Sequence, residues 1–446
     1  MAKSDYLTAP GKTDKMPPGV PYIVANEAAE RFSYYGMRSI LVIFMTQFLL
    51  NRDGAKAVMS EAEARGYYHL FIFAVYFFPF LGAILADAFL GKFLTVMSLS
   101  LVYCVGNFAL ALDSTRLGLF VGLTLVAIGS GGIKPCVSAN VGDQFGPSNQ
   151  HLLPKVFGWF YFSINVGSTF SMFLIPQFMR DYGPKVAFAV PGVLMVVATM
   201  AFFSGRRKFV HIPPGGMAFV RETFSVAGLA AMGKLVVVFA FVAVFFSLYD
   251  QSGSAWVLQA ERMDRHWMGK EWLSSQIQTV NPILILIYIP LFTYVVYPTL
   301  DKVFTMTPLR RISMGLFLTV PSFLVTAWIE TQLNAGHTVN MVWQVVAYVI
   351  LSAGEVMVSI TSLEFAYTQA PKKMKSLIMA VFLLSIASGN AFTSAVNFFI
   401  INPDKTSKLT GPQYYLFFAG LMLATAVVFI FVAMAYKEKT YLQDEA

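Results

Sequence analysis

Glu27, Glu30, Arg31, Tyr34, Tyr35 and Arg38 follow one another at steps of three, one, three, one and three inside the stretch NEAAERFSYYG and just beyond it. On a helix those steps put all six side chains on one stripe. Ala28, Ala29, Phe32, Gly36 and Met37 make up the opposite face. In a membrane-spanning segment each such charge costs about 2.5–3.5 kcal/mol, so charges grouped like this must be paired or line water. Two carboxylates sharing one guanidinium can handle a proton. Whatever draws the arginine away leaves a carboxylate that takes one up. A further cation, Lys134, sits in AIGSGGIKPCVSAN, and a further acid, Glu355, in VILSAGEVMVSITS. They lie in opposite halves of the chain, which suits a ligand charged at both ends. A direct Lys134–Glu355 bridge is the alternative. Tyr76, Asn165, Trp256 and Asn281 add polar and aromatic groups inside apolar runs, where a single asparagine often bonds one helix to the next. His69 is the one histidine of five inside such a run, and its titration range suits a proton relay. It has no nucleophile or metal partner at a usable spacing, so neither an enzyme nor a metal site is expected.

The elements that must position these residues are membrane helices. Only 13% of the 446 residues are charged and 57% are hydrophobic, against about 25% charged in soluble domains. Apolar runs of the length needed to span hydrocarbon recur throughout, and alternating ten-residue segments of the barrel type are too few. The spacing predicts twelve spans, all α-helical. An N-terminal tail over 1–21 precedes a six-helix bundle over 22–204. A basic linker over 205–232 leads to a second six-helix bundle over 233–436 and a tail over 437–446. Pro135 and Pro282 are expected to interrupt or loosen their helices. An even count puts both tails on one side. The cytoplasmic side is favoured by Lys and Arg in segments such as Arg206–Lys208 and Lys372–Lys375. The polar start, MAKSDYLTAPGKTDKMPPGV, predicts no cleaved signal peptide. Cys104 and Cys136 read as inert core residues. The net charge of +8 is spread over loops without a nucleic-acid patch. No phosphate-binding glycine loop is present, so nucleotide-driven pumping is not expected, and no cofactor is implied.

Six helices, a basic linker and six more resemble the layout of the major facilitator superfamily, two bundles around a central cavity. Asp87, Gly91 and Lys92 in GAILADAFLGK resemble that superfamily's loop motif between spans two and three. There an acid can accept N–H bonds from a facing helix end, and a glycine allows the tight turn. More specifically, NEAAERFSYYG, LGAILADAFLGKFLTVMSLSLVYCVG, FYFSINVGS, GSGGIKPCVSANVGDQF, LYDQSGSAWVLQA and SAGEVMVSITSLEFAYTQAPKKMKS resemble motifs of the proton-coupled oligopeptide transporter family, in the same order.

That resemblance implies a symporter that imports di- and tripeptides with protons by alternating access. It implies a multi-pass protein of the plasma membrane, here a bacterial inner membrane, acting as a monomer. Arg31 and Lys134 would take the peptide carboxylate and Glu355 the amine. Tyr34, Tyr76, Asn165 and Asn281 would hold the backbone, Trp256 would line a side-chain pocket, and Tyr35, Ser359 and Phe382 would also contact the substrate. Glu27, Glu30, Arg31, His69 and Glu355 would couple the proton, and Arg38, Glu261 and Lys134 would gate the site. The chain departs from the family pattern in three places. Phe382 stands where bacterial relatives often carry tryptophan. Thr293 stands where animal members carry aspartate. Glu261 is slightly shifted from the usual partner of Arg38. A relative carrying another anion, such as nitrate, and an uncoupled channel or receptor are the competing readings.

Overall fold

The computed structural model describes residues 6–217, 221, 225–368, 375–404 and 406–436. The tail expected over 437–446 and the basic residues Lys372 and Lys373 lie outside the described residues. Among the described residues the fold is all-α apart from one antiparallel pair, β1 (His266–Trp267) with β2 (Lys270–Glu271).

The chain falls into two compact units. The first comprises Met1–Ile40, Phe48–Ala57 and Ala74–Ser225; the second comprises Leu41–Gln47, Val58–Phe73 and Val226–Ala446. Two helices therefore contribute to both: α1 (Val20–Gln47) and α2 (Glu61–Ile84), which ends in a π-helical turn, Leu85–Leu90. The first unit also holds α3 (Lys92–Leu112), α4 (Arg116–Asp143), α5 (Leu153–Tyr182) and α6 (Pro184–Ser204).

The second unit is more broken. Helix α7 (Val226–Tyr249) passes through a 3-10 turn, Asp250–Gly253, into α8 (Ala255–Glu261). A second 3-10 turn, Ser274–Thr279, opens α9 (Val280–Leu291), and the π-helical turn Phe292–Val296 joins it to α10 (Tyr297–Asp301). Next come α11 (Pro308–Asn334) and α12 (Val342–Glu355), then a π-helical turn, Val356–Ile360, and α13 (Thr361–Thr368). Helices α14 (Lys375–Phe399) and α15 (Pro412–Ala435) complete the unit.

Among the described residues, ten helical segments are long and apolar enough to cross a membrane. The other two expected spans are α1 and α5. They are long, at 28 and 30 residues, but less apolar, because α1 carries Glu27, Glu30, Arg31 and Arg38 and α5 carries Ser163, Asn165, Ser168 and Ser171 between Lys155 and Arg180. The helices with the poorest claim to be spans on composition are those carrying polar residues of interest.

The proline expectations need correcting. Helix α4 continues through Pro135 without a break. Neighbouring helices and local adjustment of the backbone let a membrane helix absorb a proline. Pro282 lies inside the first turn of α9, where its missing N–H costs little, and the irregularity comes before it, in the 3-10 turn.

Candidate functional site

In the first unit the polar stripe of α1 is enclosed. Glu27 and Glu30 are buried, and both reach the same guanidinium nitrogen. Arg31 Nε lies 2.7 Å from Glu27 Oε1 and 3.3 Å from Glu30 Oε2. The other oxygen of Glu30 accepts the Ser130 hydroxyl from α4 at 2.7 Å. Two acids thus share one arginine, as the spacing predicts, and Ser130 steadies the second acid.

Lys134 is positioned by close backbone packing. A Cβ on Gly82 of α2 would fall 2.5 Å from the Cα of Gly132 on α4, and one on Gly131 would fall 2.8 Å from the carbonyl oxygen of Val75. Only glycine allows α2 and α4 to approach so closely. As a result the Lys134 ammonium reaches an aromatic clamp. It lies 3.9 Å from the centre of the Tyr34 ring and 4.8 Å from that of Tyr76. The nitrogen is sealed from solvent and has no hydrogen-bond acceptor among the described residues. An ammonium carries three donors, so two ring faces leave it short of an anion. Tyr35 meets Tyr34 edge-on, with centroids 5.2 Å apart. Asn165, on α5, donates its amide to Tyr161 O of its own helix at 2.9 Å.

The second unit holds two polar clusters. Glu355 ends α12 immediately before a π-helical turn that contains Ser359. Its carboxylate accepts Asn281 Nδ2 at 2.7 Å. The same amide reaches Ser352 Oγ at 3.0 Å, and Tyr249 donates to Asn281 Oδ1 at 3.2 Å. The Asn281 amide, a neutral donor, thus helps to orient Glu355.

The other cluster surrounds His69, which is fully buried. Its Nδ1 lies 2.7 Å from Asn390 Oδ1 and its Nε2 2.9 Å from Ser254 Oγ. Asn390 in turn donates to Asp250 Oδ2 at 2.7 Å. Asp250, Asn390 and Ser254 were not singled out from the sequence. An acid inside the apolar span around LYDQSGSAW was a usable signal for Asp250. The serine and the asparagine gave none, since both are common helix-bonding residues in membranes.

Trp256 is wholly enclosed, its ring 4.9 Å from Tyr348 and 5.7 Å from Phe323, with no acceptor for its indole N–H among the described residues. Phe382 is buried against Phe239 and Phe246. Glu261 takes its partners within the second unit, accepting from Arg265 at 2.8 Å and Gln47 at 2.9 Å. Arg38 is buried and belongs to the first unit.

In the loop motif, Gly91 has φ 76°, the conformation that favours glycine. Asp87 differs from expectation: among the described residues its carboxylate receives no backbone N–H. Instead, Lys92 pairs with Asp143 at the end of α4, 2.5 Å away. The π-helical turn over Leu85–Leu90 re-aims the end of α2, so the base of the motif finds its acid on another helix.

A family model described as the POT family matches residues 93–232 and 223–415. Peptide transporter family 1 of Drosophila melanogaster is 36% identical over 365 residues, which is 71% of this chain and 48% of that protein. Solute carrier family 15 member 2 of Homo sapiens is 34% identical over 371 residues, 71% of this chain and 49% of that one. The chain thus spans about half the length of these curated relatives. The crystal structure of an auto-inhibited POT family peptide transporter matches with a TM-score of 0.86 at 34% identity, covering 96% of this chain and 99% of that chain.

Proposed function

The chain belongs to the POT family, a family of membrane transporters rather than enzymes, and from that premise we propose that it imports di- and tripeptides together with protons by alternating access. The observation that carries this reading is the Lys134 ammonium, buried between two tyrosine rings without an acceptor. On the α1 stripe stands an arginine already claimed by two carboxylates. A peptide carboxylate supplies the missing anion. Arg31 and Lys134 take that end, Glu355 takes the amine, and Tyr34, Tyr76, Asn165 and Asn281 hold the backbone. A zwitterion sheds much hydration on entry, so each charged end needs its own partner.

Coupling follows from competition for Arg31. In the empty protein Glu27 and Glu30 share it. When the peptide carboxylate takes the guanidinium, one glutamate loses its counter-ion and takes up a proton. The loaded carrier then has its charges matched and reorients, whereas a half-loaded one keeps an unpaired charge. One proton per peptide contributes about 2.3 kcal/mol per 100 mV. At about 1.36 kcal/mol per factor of ten, that supports roughly 50-fold accumulation. His69, with Asn390 and Asp250 behind it, serves as an accessory relay. No cofactor beyond the proton is needed. In this reading the protein works as a monomer in the plasma membrane with both termini in the cytoplasm.

The test is uptake of labelled dialanine into proteoliposomes with and without an imposed inward proton gradient. Gradient-driven accumulation is expected. Uptake that ignores the gradient removes symport, and uptake of nitrate but not dialanine moves the protein to an anion carrier.

A further inference from the structure

The second unit contains a cavity of ≈ 290 Å³ that has no place in the transport reading above. Its charged lining is Glu61 and Arg65 from α2, Arg262 just past α8, and Glu330 from α11. Ser407, Thr410, Tyr414 and Tyr415 are among the residues that complete the wall. It sits where α2 and α15 begin and α8 and α11 end, the opposite end of α2 from Asp87 and Lys92.

Two of the four charges are spoken for. Both oxygens of Glu330 accept from Arg262, at 2.7 and 2.8 Å, and Gln259 Nε2 adds a third bond at 2.9 Å. The other two are not. Arg65 is only 8% exposed, and its Nε has no hydrogen-bond partner. Among the described residues no carboxylate lies within 4.0 Å of it. Its guanidinium lies over the Tyr414 ring, 4.2 Å from the centroid. Stacking of this kind fixes the guanidinium plane and leaves its edge for a planar anion. The Tyr414 hydroxyl is engaged by Asn397 and that of Tyr415 by Ala255 O, so the tyrosines act as packed walls. Glu61 is exposed, one turn before Arg65 on the same helix; among the described residues it has no ion pair within 4.0 Å, and its charge acts on Arg262 from farther off. A buried arginine is costly unless paired, and here the space beside it is open.

We propose that this cavity is a second ligand site, for a small zwitterion bearing a carboxylate and an ammonium. The carboxylate binds the edge of Arg65 against the Tyr414 ring, and the ammonium faces Glu61 at the mouth. The volume is near the lower limit of ligand pockets, about 300–1,000 Å³, which restricts the ligand to an amino acid or a very short peptide. Both have the same terminal chemistry.

The test uses the full chain in lipid nanodiscs, with equilibrium binding of radiolabelled alanine and, separately, radiolabelled dialanine. Arg31→Ala provides the background, so that the proposed transport site is silent. Saturable binding of at least one probe is expected to remain. Arg65→Gln should weaken it at least about tenfold, the least that a hydrogen bond to a charged group contributes. Glu61→Gln should weaken it as well. Binding of alanine assigns the site to free amino acids, and binding of dialanine alone assigns it to peptides. The proposal is overturned if neither probe saturates or if Arg65→Gln binds like its parent. It is also overturned if acetate competes as well as alanine, since the ammonium then plays no part. Where Arg65→Gln does not elute as a folded monodisperse protein, the exposed Glu61→Gln decides, and parental affinity overturns the proposal. Failure of the transport reading shows separately, as equal dialanine stoichiometry in wild type and Arg31→Ala.

Discussion

Lys134 and Arg31 are neighbouring buried cations in one cluster, yet replacing each by methionine should change stability in opposite directions. Arg31 Nε has two carboxylates at 2.7 and 3.3 Å. Removing it leaves Glu27 and Glu30 buried without their counter-ion, a break that costs about 3–5 kcal/mol. Among the described residues the Lys134 ammonium has two ring faces, at 3.9 and 4.8 Å, and no hydrogen-bond acceptor, so the charges of Glu27 and Glu30 act on it only from a distance. Those contacts return about 0.5–2 kcal/mol each, against a desolvation penalty of several kcal/mol for an ion of that size. Lys134→Met keeps most of the volume and removes the penalty. It should therefore be neutral or stabilising by up to about 4 kcal/mol, the range seen when buried ionic groups give way to apolar ones. The same substitution should weaken dialanine binding by about 2–5 kcal/mol, because the ligand carboxylate enters without its partner. The assay is equilibrium unfolding of the purified variants in mixed micelles, paired with labelled dialanine binding. If Lys134→Met destabilises the protein as much as Arg31→Met does, the ammonium has an acceptor in the empty state and the reasoning is wrong.

Glu27→Gln imitates a permanently protonated acid, so it should abolish gradient-driven accumulation and leave peptide-for-peptide counterflow; accumulation that persists moves the coupling group to Glu30 or His69. Wild type should reject N-acetyl dialanine far more strongly than Glu355→Gln does, by several kcal/mol of lost charge pairing, and equal discrimination in a competition assay removes Glu355 from the amine role. His69→Asn should slow gradient-driven uptake severalfold without eliminating it, and complete loss with normal counterflow would make His69 the obligatory relay.

The charged stripe of α1 was legible because helical periodicity alone brings Glu27, Glu30 and Arg31 together. Lys134 and Glu355 were legible for a different reason: a charge deep in an apolar run demands an explanation. What periodicity could not show is how each charge is met. Ser130 reaches Glu30 across a hundred residues of sequence, Tyr34 comes to Lys134 from another helix, and Tyr76 does so from α2, whose Gly82 lets its backbone touch α4 at Gly132. The π-helical turns at Leu85–Leu90, Phe292–Val296 and Val356–Ile360 were equally hidden, since one extra residue in a turn leaves no mark in hydropathy. One of them holds Asp87, and another follows Glu355 directly. Arg65 was passed over because it lies in the first turns of α2, where a charged residue looks like an ordinary helix end.

The two ends of the proposed ligand meet different kinds of partner. Glu355 is already held by the amide of Asn281, a neutral donor that an ammonium displaces at small cost because the amide keeps Ser352 as a second acceptor. Arg31 is held by two carboxylates and is costly to divert. Lys134 is held by nothing that competes for an anion. Under the peptide reading the carboxylate therefore meets Lys134 first, and its capture of Arg31 goes together with proton uptake by the glutamate that loses it. An acceptor placed beside Lys134, for example by Tyr76→Asp, would remove that order. The ammonium would be satisfied in the empty protein, and the peptide would have to displace a charge at both cations. Such a variant should bind dialanine more weakly, with the proton dependence of binding reduced along with the affinity.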